Sequence, residues 1–158
     1  MNRIKFSSTK SFAPLLEKWD AESIKIFSNS SLTEPKFISW KGRDEVIKTS
    51  LQNEDRPVMI VGNANIPEGK RSFLILNVSC EDDGEWELEI TIEPAFVLDP
   101  EFFGKEIVNS ISITNGWKEI KFDLTKYSGN DVEFQIIQSA DEIHKSHAYW
   151  SNIKIVYE

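Results

Sequence analysis

The clearest pattern in the chain is a strict alternation of apolar and polar residues in its second half. Between residues 117 and 137, apolar side chains occupy every second position on both sides of a polar Ser-Gly-Asn-Asp turn. A period of two is typical of a β-strand with one buried face. The stretch therefore predicts two half-buried antiparallel strands, and each needs a second sheet to cover its apolar face.

A second pair of patterned stretches lies further upstream. In Ser72–Cys80 the even positions from Leu74 onward are apolar, and Phe73 and Ile75 are apolar as well, which predicts a strand whose first half is buried on both faces. In Trp86–Ile92 apolar residues alternate with Glu and Thr, and the Glu-Asp-Asp-Gly turn between the two stretches predicts a β-hairpin. Cys80 is in phase with the apolar positions, so a buried and unreactive thiol is expected.

Short segments rich in strand-forming residues, separated by turn signals, occur along most of the chain. An excursion without strand alternation is predicted at Pro94–Gly104, and a short helix at Phe12–Phe27. About eight strands with little helix favour an antiparallel β-sandwich, divided into an N-terminal extension at 1–35 and a single domain at 36–158. The remaining predicted strands are Phe37–Trp40, Val46–Leu51, Val58–Val61, Glu106–Ile113 and Tyr149–Tyr157.

Composition narrows the classes of partner. The chain has 158 residues and a formal net charge of −8, which argues against nucleic acid and anionic membranes as partners. No apolar run approaches the ~20 residues needed to cross a bilayer, and the first ten residues lack the apolar core of an export signal. The single cysteine excludes an internal disulfide and a cysteine metal cluster.

Five sequence stretches between residues 58 and 158 form a recognisable series: PEGK, LILNVS, DGEWELEI, GWKEIKFDLTKYSGNDVEFQI and AYWSNIKI. Together they resemble galactose-binding-like β-sandwich domains of the carbohydrate-binding-module type. The resemblance implies a jelly-roll sandwich, non-catalytic saccharide binding and an extracellular, periplasmic or cell-surface location. It also implies a monomer or one part of a larger multidomain protein. Many such domains hold a structural calcium ion, but no ligand motif here matches theirs, so calcium stays open.

The candidate catalytic and metal-ligating residues give weak signals. His144 and His147 form an H-x-x-H pair, but two histidines without a third ligand in register indicate zinc poorly. Glu87 and Glu89 share a strand face and so resemble the paired carboxylates of a glycosidase, yet any solvated strand face shows the same pattern. Because no nucleophile and base occur in a recognisable arrangement, we expect the chain not to be an enzyme.

Aromatic residues beside polar ones are the best candidates for binding. Sugars pack their C–H faces on aromatic rings while their hydroxyl groups seek hydrogen bonds. A polar loop just before the last strand and a turn before residue 117 bring both kinds of side chain together in the sequence. The predicted saccharide-binding residues are Trp117, Asp141, His147, Tyr149 and Trp150. Two alternatives remain open: the rings seal the end of the sandwich, or the chain is a protein-interaction or spacer domain of a larger secreted or surface protein.

Overall fold

A computed structural model describes residues 24–28, 31–33, 36–52, 56–94 and 101–157. In this part of the chain the regular structure is β-strand with two short 3₁₀ turns, and no helix has the length and apolar character needed to span a bilayer. The strands are β1 (Ile24–Ser28), β2 (Ser31–Thr33), β3 (Phe37–Trp40), β4 (Arg43–Thr49), β5 (Val58–Asn65), β6 (Ser72–Ser79), β7 (Glu85–Pro94), β8 (Glu101–Asn109), β9 (Lys118–Asp123), β10 (Asp131–Ser139) and β11 (Ala148–Tyr157).

The strands form two antiparallel sheets that face each other. One sheet has six strands in the order β2-β1-β5-β10-β7-β8, and the other has five in the order β3-β4-β11-β6-β9. From β4 onward each strand lies in the other sheet from the one before it, except that β8 follows β7 in the same sheet. Strands β4-β11-β6-β9 therefore oppose β5-β10-β7-β8, which is the strand order of a jelly roll. The predicted antiparallel β-sandwich of the jelly-roll type is therefore confirmed.

The predicted hairpin between β6 and β7 is wrong. Strand β6 pairs with β9 and β11, whereas β7 pairs with β8 and β10, so the turn at residues 81–84 crosses from one sheet to the other. The two strands predicted between residues 117 and 137 are β9 and β10, and they also lie in different sheets. Alternation identifies the buried face of each strand, but it does not identify the strand beside it. Two consecutive strands can bury their apolar faces in one core either as neighbours in the same sheet or as members of the two opposing sheets.

The core lies between the sheets and takes side chains from both. Cys80 and Trp86 are almost completely buried there, as their positions in the sequence pattern predict. The outer face of β6 is covered as well, because Phe73 and Ile75 form a separate buried cluster with Val156. The prediction that the first half of β6 is buried on both faces is thus confirmed.

Both edges of the six-stranded sheet differ from the sequence prediction. Strands β1 and β2 use residues assigned to an N-terminal extension, and Ile26 of β1 reaches the core. The predicted helix lies outside the described residues except for 24–27, where the chain is β-strand and the prediction is wrong. The predicted excursion is also wrong for 101–104, which belong to β8; a register shift opposite Ile90 and Thr91 disturbs the alternation on that edge strand.

Candidate functional site

The outer face of the five-stranded sheet carries three aromatic side chains, Trp40, Trp117 and Tyr149, which we call the aromatic platform. Together with Ile38 and Val46 they form an apolar cluster separate from the core of the sandwich. Trp40 is the last residue of β3, Trp117 immediately precedes β9, and Tyr149 is the second residue of β11. Three distant parts of the chain therefore meet on one sheet surface.

The central contact of the platform is a ring stack. Trp40 lies parallel to Tyr149, with ring centroids 3.8 Å apart and an interplanar angle of 5°. Tyr149 is buried and Trp40 is half-buried, so Trp40 forms the outer layer. The Tyr149 hydroxyl donates a hydrogen bond to Glu81 Oε2 over 2.6 Å, and burial together with this acceptor raises the pKa of the phenol. Tyr149 is thus held by the ring stack at its face and by the hydrogen bond to Glu81 at its hydroxyl group.

Two tight turns set the positions of the tryptophans. Lys41 and Gly42, between β3 and β4, have φ angles of 43° and 83°, and Asn115 and Gly116, before β9, have 53° and 86°. Positive φ at both central residues is the signature of a type I′ hairpin turn, for which Asn-Gly is the preferred sequence. Trp40 immediately precedes one turn, and the residue after the other turn is Trp117.

Ser79 joins these two turns through a hydrogen-bond network. Trp40 Nε1 donates to Ser79 Oγ over 3.2 Å, and Ser79 Oγ donates to the Gly116 carbonyl over 2.6 Å. Trp117 Nε1 donates to the Lys41 carbonyl over 3.1 Å. Each indole N–H therefore has a partner, and the two turns fix one another. Trp117 is only 6% exposed, so its ring covers the neighbouring turn at Lys41 and is the supporting member of the platform.

Cationic side chains surround the rings. The Arg43 guanidinium carbon lies 4.5 Å from the Trp117 ring centroid, and one guanidinium N–H donates to Ser151 Oγ over 2.7 Å. Lys48 Nζ lies 5.7 Å from the Tyr149 centroid. These groups can donate hydrogen bonds to hydroxyl or acidic oxygens of a ligand that covers the rings.

Trp150 does not belong to the platform. It is completely buried, it packs against Trp86 with ring centroids 5.2 Å apart, and its Nε1 donates to Thr49 Oγ1 over 2.8 Å. In the sequence Trp150 is in phase with the polar residues Asn152 and Lys154, but in the structure its ring is enclosed in the core. A register shift between Trp150 and Asn152 inserts one extra residue, so the alternation read from the later part of β11 is reversed before that point.

The two predicted polar partners lie on different surfaces. His147 Nδ1 is 2.6 Å from Ser50 Oγ, and His147 precedes Tyr149 by two positions, which continues the same face of the sheet. Asp141 instead lines a cleft of about 280 Å³ with Glu85 and Glu87, next to the six-stranded sheet. The structure therefore places Trp117 and Tyr149 in one cluster and His147 beside it on the same face, but assigns Asp141 to another feature.

The described residues contain no group of three or more His, Cys, Asp or Glu side chains arranged to hold a metal ion. His144 Nε2 has Glu142 Oε1 at 3.9 Å, and both side chains are largely exposed. The strand carboxylates Glu87 and Glu89 both face Lys105, whose Nζ lies 3.7 and 4.0 Å from them. These contacts match a solvated strand face with surface ion pairs.

Trp40 and its neighbour Arg43 are the residues that sequence reasoning missed. The sequence feature that could have pointed to them is the tight turn between them. Trp40 and Arg43 flank Lys41-Gly42, a two-residue turn with glycine at its second position. The same arrangement at Asn115-Gly116 was recognised as a turn. What the sequence could not show is that the two turns meet on one face.

No protein-family model matches the chain, and no curated protein sequence matches it. Several solved structures are similar. A carbohydrate-binding module specific for non-crystalline cellulose, CBM28, is 8% identical with a TM-score of 0.58, covering 89% of this chain and 90% of that one. The K3 cleaved adhesin domain of Lys-gingipain from Porphyromonas gingivalis is 11% identical with a TM-score of 0.59, covering 90% and 98%. The xylan-binding module CBM15 is 11% identical with a TM-score of 0.53, covering 92% and 95%. At such identities the likeness concerns the fold, and this chain has the carbohydrate-binding-module type of β-sandwich.

Proposed function

We propose that the chain is a non-catalytic carbohydrate-binding module that binds a polysaccharide or oligosaccharide on the aromatic platform, with Trp40 as the stacking ring. The observation that carries the proposal is the half-buried Trp40 ring lying 3.8 Å from the buried Tyr149 ring. Tyr149 occupies one face of the indole and the Lys41 ammonium lies 5.5 Å from its centroid, so the pyranose ring would cover the part of the ring surface that these two side chains leave accessible. An aromatic surface bordered by a few polar groups is the typical composition of a sugar site.

The polar rim supplies the second requirement. Arg43, Lys48 and His147 border the rings and donate hydrogen bonds to the hydroxyl groups of the bound chain. The rings are braced before any ligand arrives, through Ser79 and the Lys41 carbonyl. A pre-formed surface loses little side-chain entropy on binding, which favours affinity from a small contact area.

The fold supports this function as an analogy. Two structures with similar folds are modules for non-crystalline cellulose and for xylan, according to their own descriptions. A shared fold hosts many functions, so the argument depends on the platform. The proposal extends to a galactose-binding-like domain that includes β1 and β2 and belongs to an extracellular, periplasmic or cell-surface protein, acting as a monomer or as one part of a larger chain.

A glycan array followed by calorimetry tests the proposal. We expect micromolar to millimolar binding to at least one polysaccharide, and loss of measurable binding in Trp40→Ala. Phe37→Ala is the matched control, because Phe37 is another exposed ring on β3, with 49% of its surface accessible, but lies outside the platform cluster. A blank array, or equal loss of affinity in both variants, contradicts the proposal.

A protein-interaction domain is the second candidate, and one observation favours it. Phe102 on the edge strand β8 is 59% exposed, Ile107 on the same strand is 44% exposed, and Ile111 just beyond it is 91% exposed. Exposed apolar side chains on a sheet edge are typical of a surface that pairs with another chain. The protein-interaction function would be supported if glycans do not bind and Phe102→Ser abolishes capture of a protein partner.

A further inference from the structure

The two outer faces of the sandwich carry opposite charge. Side chains that alternate with buried core residues point outward, so the strand registers assign each charged residue to a face. On the six-stranded sheet the outward charges are acidic in excess: Glu85, Glu87, Glu89, Glu93, Asp131 and Glu133, with Lys25 and Lys105. On the described strands of the five-stranded sheet they are basic in excess: Arg43, Lys48, Lys121 and Lys154, with Glu119 and Asp123.

Two of these basic residues lie at the rings. Arg43 lies over Trp117 and Lys48 lies beside Tyr149, at the distances given above. Within the described ranges no carboxylate forms an ion pair with Arg43 or Lys48, whereas Lys41 pairs with Asp82 over 3.3 Å. Lys48 therefore faces the platform without an ion-pair partner among the described residues, whereas the charge of Arg43 is acted on by Glu119, two residues beyond Trp117 on the same face. Both cations border the rings in a chain whose formal net charge is −8.

The cationic surface continues along the sheet away from the platform. Lys154 is five residues beyond Tyr149 on β11, roughly 15 Å at the usual strand rise. It is opposite Ile75, which is in turn opposite Lys121, whose Nζ lies 4.1 Å from the Phe73 ring centroid. An extended ligand lying along β11 would meet a basic group at each end.

We infer that the ligand of the aromatic platform is an anionic saccharide, in which a sugar ring covers Trp40 and a carboxylate or sulfate group pairs with Arg43 or Lys48. The inference rests on the proposed function and specifies its substrate class. A guanidinium group binds planar or tetrahedral oxyanions through two parallel hydrogen bonds, which a neutral sugar cannot match in strength. The overall negative charge does not oppose this, because at physiological salt the Debye length is about 8 Å and nearby cations dominate.

The test compares each anionic saccharide with its neutral counterpart by calorimetry. One pair is oligogalacturonate and its fully methyl-esterified form, and the other is a sulfated galactan and its desulfated form. We expect the anionic member of one pair to bind at least about tenfold more tightly, as a charged hydrogen bond requires. The first pair identifies a carboxylate as the recognised group and the second a sulfate. Affinity for the anionic member should fall as salt rises.

Charge variants identify the basic groups. Lys48→Gln and Arg43→Gln should each weaken anionic binding about tenfold, and Arg43→Lys, which keeps the charge but not the paired hydrogen bonds, should weaken it less than Arg43→Gln. Lys105→Gln is the matched control, because this lysine is half-exposed on the opposite face of the sandwich. Melting temperatures of all variants should stay within a few degrees of the parent, since these side chains are not in the core.

The outcomes separate the inference from the function beneath it. Equal binding of charged and neutral members, abolished by Trp40→Ala, overturns the anionic ligand and leaves the proposed function intact. No binding to either pair or to neutral glucans overturns both. Preference for the anionic members that Lys105→Gln removes as effectively as Lys48→Gln overturns the assignment to this face.

Discussion

Trp40 stacks on Tyr149 with ring planes within 5° of parallel, although one residue ends an edge strand and the other lies on a central strand of the sheet. Tyr149 is fixed by strand pairing on both sides and by its hydrogen bond to Glu81. Trp40 therefore rests on a rigid support although it lies at the edge of the sheet. This is the feature that distinguishes the platform from a surface ring that is merely exposed.

Ser79→Ala tests how much this support contributes. The substitution removes the acceptor of Trp40 Nε1 and the donor to the Gly116 carbonyl, so the ring loses its fixed orientation. We expect saccharide affinity to fall about three- to tenfold, with a loss of ~1–3 kcal/mol in the free energy of unfolding. Calorimetry and denaturant unfolding measure the two effects. Ser112→Ala, in a turn between β8 and β9, is the control and should leave affinity unchanged.

Trp150→Ala should destabilise the fold instead of acting on binding alone. The ring is completely buried between the sheets, so truncation should lower the free energy of unfolding by ~3–5 kcal/mol. Denaturant unfolding measures the loss. A change below about 1 kcal/mol would show that this ring lies at the surface, as the alternation of the later part of β11 had suggested.

Thr49→Val probes the polar contacts behind the same ring. Thr49 Oγ1 accepts from Trp150 Nε1 and donates to Gln138 Oε1, and all three side chains are buried. Because valine leaves two buried polar groups without this partner, we expect a loss of ~1–3 kcal/mol. An unfolding free energy equal to that of the parent would contradict the network.

Gly62 and Phe134 should show strong energetic coupling. They are opposite each other on β5 and β10, and a Cβ atom added at Gly62 would overlap the Phe134 ring. Gly62→Ala should therefore destabilise the parent clearly, but do so much less in a Phe134→Ala background. A double-mutant cycle measures the coupling, which should exceed about 1 kcal/mol. Additive effects would mean that the ring does not lie over the glycine.

The thiol of Cys80 should be inert in the folded protein. Burial raises its pKa, so little of the reactive thiolate is present at neutral pH, and the sulfur is enclosed by the core. A thiol reagent should modify native protein slowly and denatured protein rapidly. Equal rates in the two states would contradict the position of Cys80 at the end of β6.

The sequence was sufficient for the sandwich because alternation reports burial directly. Trp86 and Cys80 were predicted to be buried from their phase alone, and both are. The same signal does not identify the neighbours of a strand. The residues of β6 and of β7 that point into the core would be the same whether the two strands paired in one sheet or opposed each other across the core. That ambiguity produced the incorrect hairpin.

The binding surface was harder to predict because its geometry depends on non-local contacts. A one-residue bulge after Trp150 places Tyr149 on the outer face and Trp150 in the core, the reverse of what the alternation in the later part of β11 indicates. No residue type at that point of the sequence signals the bulge. Trp40 could not be placed because its partners, Ser79 and Tyr149, are far away in the sequence. The turns at Gly42 and Gly116 were visible, but only the three-dimensional structure shows that they adjoin.

The most direct test of a saccharide site at Trp40 is nuclear magnetic resonance of the five indole N–H groups during titration with the tightest-binding saccharide of the glycan screen. The Trp40 signal should shift most and the Trp117 signal should follow, because both rings belong to the platform. The signals of Trp86 and Trp150 should hardly move, since both are enclosed in the core. Binding that shifts resonances near Asp141 and Glu87 while leaving the Trp40 signal unchanged would contradict the account.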